Sequence, residues 1–414
     1  MHEAYQNLTA LIHAFGARPA TTESESRLRE YMHRRLAERG LTVFEQPFQS
    51  VASLTPAWLT VFEQPFRSVA SLTPAWLTVS ALFVASAMLG WLNAPALWWV
   101  GAGSSLVAMA MFWGLVSGRW DVMRLFPQQE SANLIAVASP QGKAHRRVVL
   151  MAHIDSQRAA LMWHPRHVRA FGRNFQLQAG VLAAHTLGAL LLALSPLLGL
   201  AWLPALARAL MTLGGLVALY GTALLLHREW FLPWVQGAND NGSGTAALLT
   251  VLERLADAPL PHTEVWGVFT GCEEVGRPNG AFAFEREYGH QLRDAEFLIV
   301  DHIGLGEPRY LMAEAMLPRA RAHPDMVHAM ERLAGEHPDL CLQPSAVPHG
   351  AYTDALPFYI GGYRAIAMWC ELEKGVPPNW HWVTDTLENI SAADLQRAVA
   401  VIEAFLQTSG SGRP

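Results

Sequence analysis

The 414-residue sequence predicts an α/β protein interrupted by two apolar helical hairpins. Three observations predict this class. Short β-rich runs alternate with helical runs through the polar parts of the chain. Acids and histidines stand at the ends of the β-rich runs, where open α/β sheets place their sites. Two long stretches between them carry almost no charge, as membrane-crossing segments do. Composition agrees, since 51% of residues are hydrophobic and 16% charged, against about a quarter charged in an ordinary soluble domain. A net charge of −5 leaves no electrostatic footprint for nucleic acid, so no such partner is expected.

Taken in order, the first forty residues carry two amphipathic helical patterns and no basic-then-apolar signal. In the second, Leu28, Met32 and Leu36 recur at helical spacing, and Thr22 or Ser24 is expected as the cap. Residues 41–58 recur at 59–76 with Gln49 replaced by Arg67 as the sole difference. One repeated pair is too short for a solenoid and reads as a tandem duplication or an error in the sequence. Each copy holds one strand-like TVFEQPF, so one copy is expected in the sheet and the other as a surplus loop or extra edge strand.

From Ser68 to Gly118 there is no Lys, Arg, Asp or Glu, and Asn93-Ala94-Pro95 breaks the run into helices near 74–92 and 95–117. Pro74 and Pro95 fall at helix starts, where a missing N–H is harmless. The run from Asn174 to Leu226, with Arg208 and His185 as its only charged or imidazole groups, divides into helices near 177–198 and 204–226. Four charge-poor segments near the length of a membrane span are hard to bury in one globular core. The expectation is therefore a multi-pass integral membrane protein with four helices and the lipid bilayer as a partner. Its parts would be residues 1–73, a hairpin over 74–118, residues 119–173, a hairpin over 174–228, and residues 229–414. Trp91, Trp98, Trp99, Trp120, Trp202 and Trp230 resemble an aromatic belt, and Gly214, Ala218 and Thr222 form a stripe of small residues suited to close helix packing. His185 reads as a satisfied packing residue and not a proton relay.

Elsewhere SANLIAVAS, RRVVLMAHI, TEVWGVFTG, EFLIVDHIG and YRAIAMWC read as strands. TAALLTVLERLAD, DMVHAMERLAG and SAADLQRAVAVIEAFLQTS read as helices, the last capped by Ser391. On these elements stand His153 and Asp155 in LMAHID, Asp240 in GANDNGSG, Glu273 and Glu274 in TGCEEVG, Asp301 in LIVDHIG, and His381 in NWHWVTDT. Each alone is more often a solvated or hydrogen-bonded group. Together they form a nitrogen and oxygen donor set without thiolate, which suits a catalytic metal such as zinc better than a structural one. The widely spaced Cys272, Cys341 and Cys370 suggest neither a disulfide framework nor a CxxC site and fit a reducing compartment. Cys272 as a nucleophile lacks an accompanying His/Asn context.

In this combination and order the chain resembles the M28 family of zinc aminopeptidases and carboxypeptidases, over approximately residues 1–45, 130–165 and 235–410. The resemblance implies a mixed central sheet flanked by helices, the zinc-exopeptidase fold, holding two zinc ions and acting on a peptide substrate. It casts His153 and Asp301 as ligands of one ion, Glu274 and His381 as ligands of the other, and Asp240 as the bridge. Asp155 would accept the free N–H of His153 and fix its tautomer. Glu273 would be the general base, taking a proton from water held between the metals and returning it to the leaving amine. A base and a ligand one residue apart need a turn, which Gly271 and Gly276 permit. Tyr352, Thr353 and Asp354 in YTDALPF match the segment near the family's substrate pocket, but Ala355 stands where a His is usual. M20 metallopeptidases share a bridging Asp and an EE pair, yet the roughly 80 residues between Asp301 and His381 leave no room for their extra domain. The resemblance favours a membrane-anchored two-zinc aminopeptidase. The alternatives are a non-catalytic membrane scaffold or receptor on the same fold, and a single-zinc glutaminyl cyclase. The sequence leaves room for a homo-oligomer.

Two hairpins mean an even number of crossings, so all motifs share one side of the membrane. Arg119, Arg124, Arg166, Arg169, Arg173 and Arg228 flank the helices on that side, whereas the opposite turns offer Arg208. The positive-inside rule then places the catalytic domain in the cytoplasm.

Overall fold

The computed structural model describes residues 3–39, 42–43, 59–314, 317–347, 350–373 and 375–408. Eleven strands run through them: β1 Thr42–Val43, β2 Leu59–Ser68, β3 Gln129–Ala138, β4 Arg146–His153, β5 Thr263–Thr270, β6 Glu296–Val300, β7 Glu307–Leu311, β8 Ala313–Glu314, β9 Ala320–Arg321, β10 Gln343–Ser345 and β11 Arg364–Glu371. Among the described residues nine form one sheet in the order β1-β2-β3-β5-β4-β6-β11-β7-β10, and β8 pairs with β9. The sheet is mixed. β5, β4, β6 and β11 run parallel at its centre, β3 pairs antiparallel with β2 and β5, β7 antiparallel with β11, and the edge strands β1 and β10 pair parallel with β2 and β7. The last six residues of β4 and all five of β6 are buried, the unbroken apolar pattern of strands covered on both faces.

Helices α1 Glu3–Phe15 and α2 Glu23–Ala37 open the chain, α3 Thr73–Trp91, α4 Pro95–Ser117, α5 Phe171–Leu198 and α6 Leu203–Phe231 form an apolar bundle, and α7 Gly244–Asp257, α8 Asn279–Tyr288, α9 Pro324–Glu336, α10 Leu356–Gly361 and α11 Ala392–Gln407 cover the sheet. The bundle packs closely through small residues. A Cβ at Gly214 would lie 2.5 Å from the His185 Cβ, and one at Gly188 would lie 2.9 Å from the Ala207 carbonyl oxygen. Its few polar groups meet inside, with His185 Nε2 3.1 Å from Ser86 Oγ and the Ser105 hydroxyl donating to Thr186 at 3.0 Å. The outer face is the reverse: Leu197 is 80% exposed and Met88 68%, alongside Trp91, Trp99, Trp202, Leu216 and Tyr220.

The second copy of the duplication builds β2, pairing with β3 along all ten residues. The first copy contributes Thr42 and Val43, paired parallel to β2 on its outer edge, and residues 44–58 lie outside the described residues. α5 starts six residues before the expected boundary and α6 ends five after it, because Phe171–Gln176 and His227–Phe231 continue the helices beyond the apolar runs. Neither expected cap acts on α2. The Thr22 hydroxyl donates back to the Pro19 carbonyl at 2.6 Å and that of Ser24 to the Ala17 carbonyl at 3.0 Å, so both serve the preceding turn. Ser391 does cap α11, accepting the Asp394 N–H at 3.2 Å.

Candidate metal centre

His153 ends β4, Asp301 follows β6, the Glu273-Glu274 pair follows β5 by two residues, and Asp240 lies in the turn before α7. His381 comes from the loop between β11 and α11. Parallel β4, β5 and β6 thus bring these side chains to one edge, the carboxyl ends of the strands. Gly237 has φ of +66°, and a Cβ there would meet the Asp240 carbonyl and Ser156 Cβ at 2.7 Å, so this turn needs glycine. At the Glu pair the positive φ falls on Cys272 (+57°) and Gly276 (+92°). Gly271 is needed for space instead, since a Cβ there would lie 2.4 Å from Glu25 Oε1.

The two carboxylate oxygens of Asp240 face different partners. Oδ1 lies 3.2 Å from His153 Nε2, which is 3.5 Å from Asp301 Oδ1. Oδ2 lies 2.9 Å from His381 Nε2, which is 3.1 Å from Glu274 Oε1. His153 Nε2, both Asp240 oxygens, Glu274 Oε1 and Asp301 Oδ1 are buried without a hydrogen-bond partner. Two clusters, His153–Asp240–Glu274 and Asp240–Asp301–His302, hold their donor atoms within 4.8 Å of one another. The first groups His153 with Glu274, while the shorter distances pair His153 with Asp301 and His381 with Glu274; the shorter distances are the better guide to a shared ion. Donor separations of 2.9 to 3.5 Å are close to the edge of a tetrahedron whose ligands lie about 2.0–2.2 Å from its centre. Buried, unpartnered donors of this kind would be costly without a cation, and the set fits zinc.

Supporting groups hold the donors. The Asp155 carboxylate accepts the Glu273 and Glu274 N–H groups, each at 3.0 Å. This differs from the expectation that it accepts from His153. Asp155 Oδ1 is 3.7 Å from His153 Nδ1, too far for a hydrogen bond, whereas the Asp155 carbonyl oxygen is at 3.0 Å. The carboxylate is turned away because the two N–H groups of the Glu pair claim it. Asp385 accepts the Asn239 and Asp240 N–H groups at 2.6 and 3.2 Å. Buried Arg18 donates to the Ile154 and Gly237 carbonyls, both at 2.8 Å, and ties the His153 loop to the Asp240 turn.

Electrostatics follow from crowding. Burial opposes ionisation of Asp240, but the adjoining His302 and His381 win and hold its carboxyl well below the usual range. Burial opposes the charged form of both neighbours as well, but His302 and His153 hold Asp301 at about 2, and Glu274 and Asp240 push His381 up to about 9. Burial raises Glu273 well above the usual carboxylate range, with His153 opposing and Glu274 and Asp354 adding to the rise. The Cys272 thiol is raised by burial and then by Glu25 and Asp155, which argues against a thiolate nucleophile.

Of the three expected substrate contacts, Tyr352 is half-buried with its hydroxyl 3.5 Å from the Glu273 carbonyl oxygen. Thr353 and Asp354 are buried and occupied elsewhere, the Thr353 hydroxyl donating to Glu314 and Asp354 accepting from Thr270 at 2.5 Å. Rings roof the site: Trp163 lies 4.2 Å from both Phe171 and Trp380 and 4.8 Å from His381.

His302 was missed in the sequence. Its Nε2 lies 3.1 Å from Asp240 Oδ2 and its Nδ1 2.9 Å from Asp301 Oδ1, and φ of +49° turns the ring inward. The signal was present, a second titratable residue beside Asp301, but strand alternation directs neighbours to opposite faces and only the left-handed backbone brings both into the site. Arg18 and Gln157 carried no motif at all.

The model for peptidase family M28 matches residues 226–406. Over these residues the chain is similar to the M28 peptidases. Aminopeptidase YwaD of Bacillus subtilis is 26% identical over 176 residues, 42% of this chain, and the chain spans 38% of that relative's length. Two solved structures from Bacteroides thetaiotaomicron share the fold. A glutaminyl cyclase superposes with TM-score 0.54 at 13% identity over 98% of this chain and 97% of that one. A leucine aminopeptidase precursor gives 0.53 at 13% identity over 98% and 96%. The mixed central sheet matches that of a zinc-dependent exopeptidase from Parabacteroides distasonis.

Proposed function

We propose that this chain is a membrane-embedded two-zinc exopeptidase, acting as an aminopeptidase. The observation that carries it is Asp240, whose two oxygens each face a separate imidazole and carboxylate pair. His153 and Asp301 would hold one ion, His381 and Glu274 the other, and His302 stands close enough to Asp240 Oδ2 to add a nitrogen donor. Bound zinc would supply Lewis acidity toward the scissile carbonyl and favour ionisation of water. Glu273 takes the proton of the attacking water and passes it to the amine as the C–N bond breaks. Its raised carboxyl suits a group that must both accept and return a proton, and Asp155 fixes the backbone on which it stands. The Trp163, Phe171 and Trp380 roof excludes water and suits an apolar N-terminal side chain.

Membrane insertion rests on α3 to α6, four helices long and apolar enough to span a bilayer. Exposed Leu, Met and Trp on the bundle's outer face would cost about 25 cal/mol per Å² in water and nothing in lipid. A cytoplasmic peptidase part follows from the Arg residues flanking the helices. Glutaminyl cyclisation is the second reading, favoured by cyclases among the proteins that share this fold. Turnover of aminoacyl amides alongside N-terminal Gln peptides, with zinc counted per chain, separates the two. Release of free amino acid with about two zinc bound supports the aminopeptidase; pyroglutamate with one zinc supports the cyclase; no turnover of either with metal bound supports a scaffold.

A further inference from the structure

We propose that the inserted helices position the metal-site carboxylate of Glu274, through a relay formed by Arg228 and Gln157. This rests on the reading of Glu274 as a zinc ligand. Gln157, in the loop after β4, is 6% exposed. Its amide nitrogen donates to the Glu274 carbonyl at 2.8 Å and to Glu274 Oε2 at 3.0 Å. One oxygen of the carboxylate is thereby engaged, and Oε1 is left facing His381 as the free donor. Gln157 would thus leave Glu274 one oxygen of fixed direction to offer a metal.

An amide has two orientations, and Arg228 selects between them. It projects from the last turns of α6, is 5% exposed, and donates through Nη2 to Gln157 Oε1. A guanidinium offers only donors, so the amide oxygen must face Arg228 and the amide nitrogen must face Glu274. The Arg158 N–H donates to the same oxygen at 2.9 Å. Both ends of the bundle's base join the relay. Arg228 Nη1 lies 3.5 Å from the Thr73 hydroxyl at the start of α3, which donates to Glu229 at 2.7 Å. The Arg158 guanidinium donates to the Leu232 carbonyl at 2.9 Å, just past α6. Two helices that add nothing to the peptidase sheet therefore converge on one donor of its metal site, and a change in how α3 and α6 meet would be felt as a rotation of Glu274.

The test uses the full chain in lipid nanodiscs, with zinc affinity read by competition with a chromophoric chelator and donor geometry by the visible absorption of the cobalt-substituted protein. Arg228→Met and Gln157→Leu should each weaken one of the two ions by about 10- to 100-fold, the range for groups that orient metal ligands, and shift the cobalt band. The double variant should be no worse than the weaker single one, and Arg228→Lys should recover part of the loss. Gln157→Leu changes no residue of the bundle and leaves the Arg228 contact with Thr73 in place, so it reads the relay even where Arg228→Met fails to fold. Parent affinity and an unchanged cobalt spectrum in Gln157→Leu, or additive losses in the double variant, would overturn the relay. Glu274→Ala is the control on the underlying reading: parent metal binding there would remove Glu274 from the ligand set, whereas loss there with parent binding in Gln157→Leu would remove only the relay.

Discussion

Replacing Glu273 by Gln isolates the proposed base from everything else the site does. The side chain is isosteric, and the Glu273 N–H that anchors it to Asp155 at 3.0 Å belongs to the backbone and survives. Burial and the neighbouring Glu274 and Asp354 already disfavour a charge at Glu273, so neutralising it should not weaken the fold. Glu273 also stands outside both donor clusters, and metal content should stay at the parent value. What disappears is proton transfer, for which a loss of about 10²- to 10⁴-fold in kcat is expected, equivalent to about 3 to 5 kcal/mol of barrier. Parent and variant would be purified in nanodiscs, checked for equal zinc and melting temperature, and assayed for kcat and KM on an aminoacyl p-nitroanilide. A variant within a few-fold of parent kcat at equal zinc refutes the assignment; a fall in kcat that tracks lost zinc would instead make Glu273 a ligand.

Asp240→Ala should remove more metal than any other single ligand change, from about two zinc per chain to well under one by atomic emission, because both ions lose a donor; retention of two refutes the bridge. Deleting residues 41–58 should leave activity intact and move the melting temperature by no more than about 2 °C, since β2 comes from the second copy and, among the described residues, the first adds Thr42 and Val43 on its edge; failure to express would make the first copy structural. Burial raises the Glu314 carboxyl to about 8, with the Thr353 hydroxyl opposing. Below about pH 4.5 it is protonated folded or unfolded; as pH rises toward 8 only the unfolded chain ionises, so stability falls across that window. Glu314→Gln should flatten the decline, and melting curves from pH 5 to 8 that stay parallel to the parent refute the claim. A reporter active only in the cytoplasm, fused at the carboxyl end, should be active; activity of an exported-only reporter instead would reverse the orientation.

Two of the proposed metal ligands, His153 and Asp301, were legible because each stands where a continuous apolar run meets a polar residue. RRVVLMAH and EFLIV read as strands whose apolar residues are buried on both faces, so His153 and Asp301 emerge at their ends. The bundle was legible for a similar reason: length and absence of charge are one-dimensional properties, and helices appeared within a few residues of the apolar runs. Tertiary structure decided what depends on backbone direction and on chance proximity. Either copy of LTVFEQPF could pair with β3, and only the assembled sheet selects Leu59–Ser68. His302 enters the site through a left-handed φ that no pattern of side chains encodes. The Asp155 carboxylate supports the Glu pair, leaving His153 to the Asp155 carbonyl, because two N–H groups of a distant loop claim it first. Arg228 reads in the sequence as one more cation at a membrane helix end, and becomes a partner of Gln157 only when residues 71 apart are folded together. Periodicity and charge are written along the chain, whereas a hydrogen bond between distant segments exists only once the sheet and the bundle have fixed their separation.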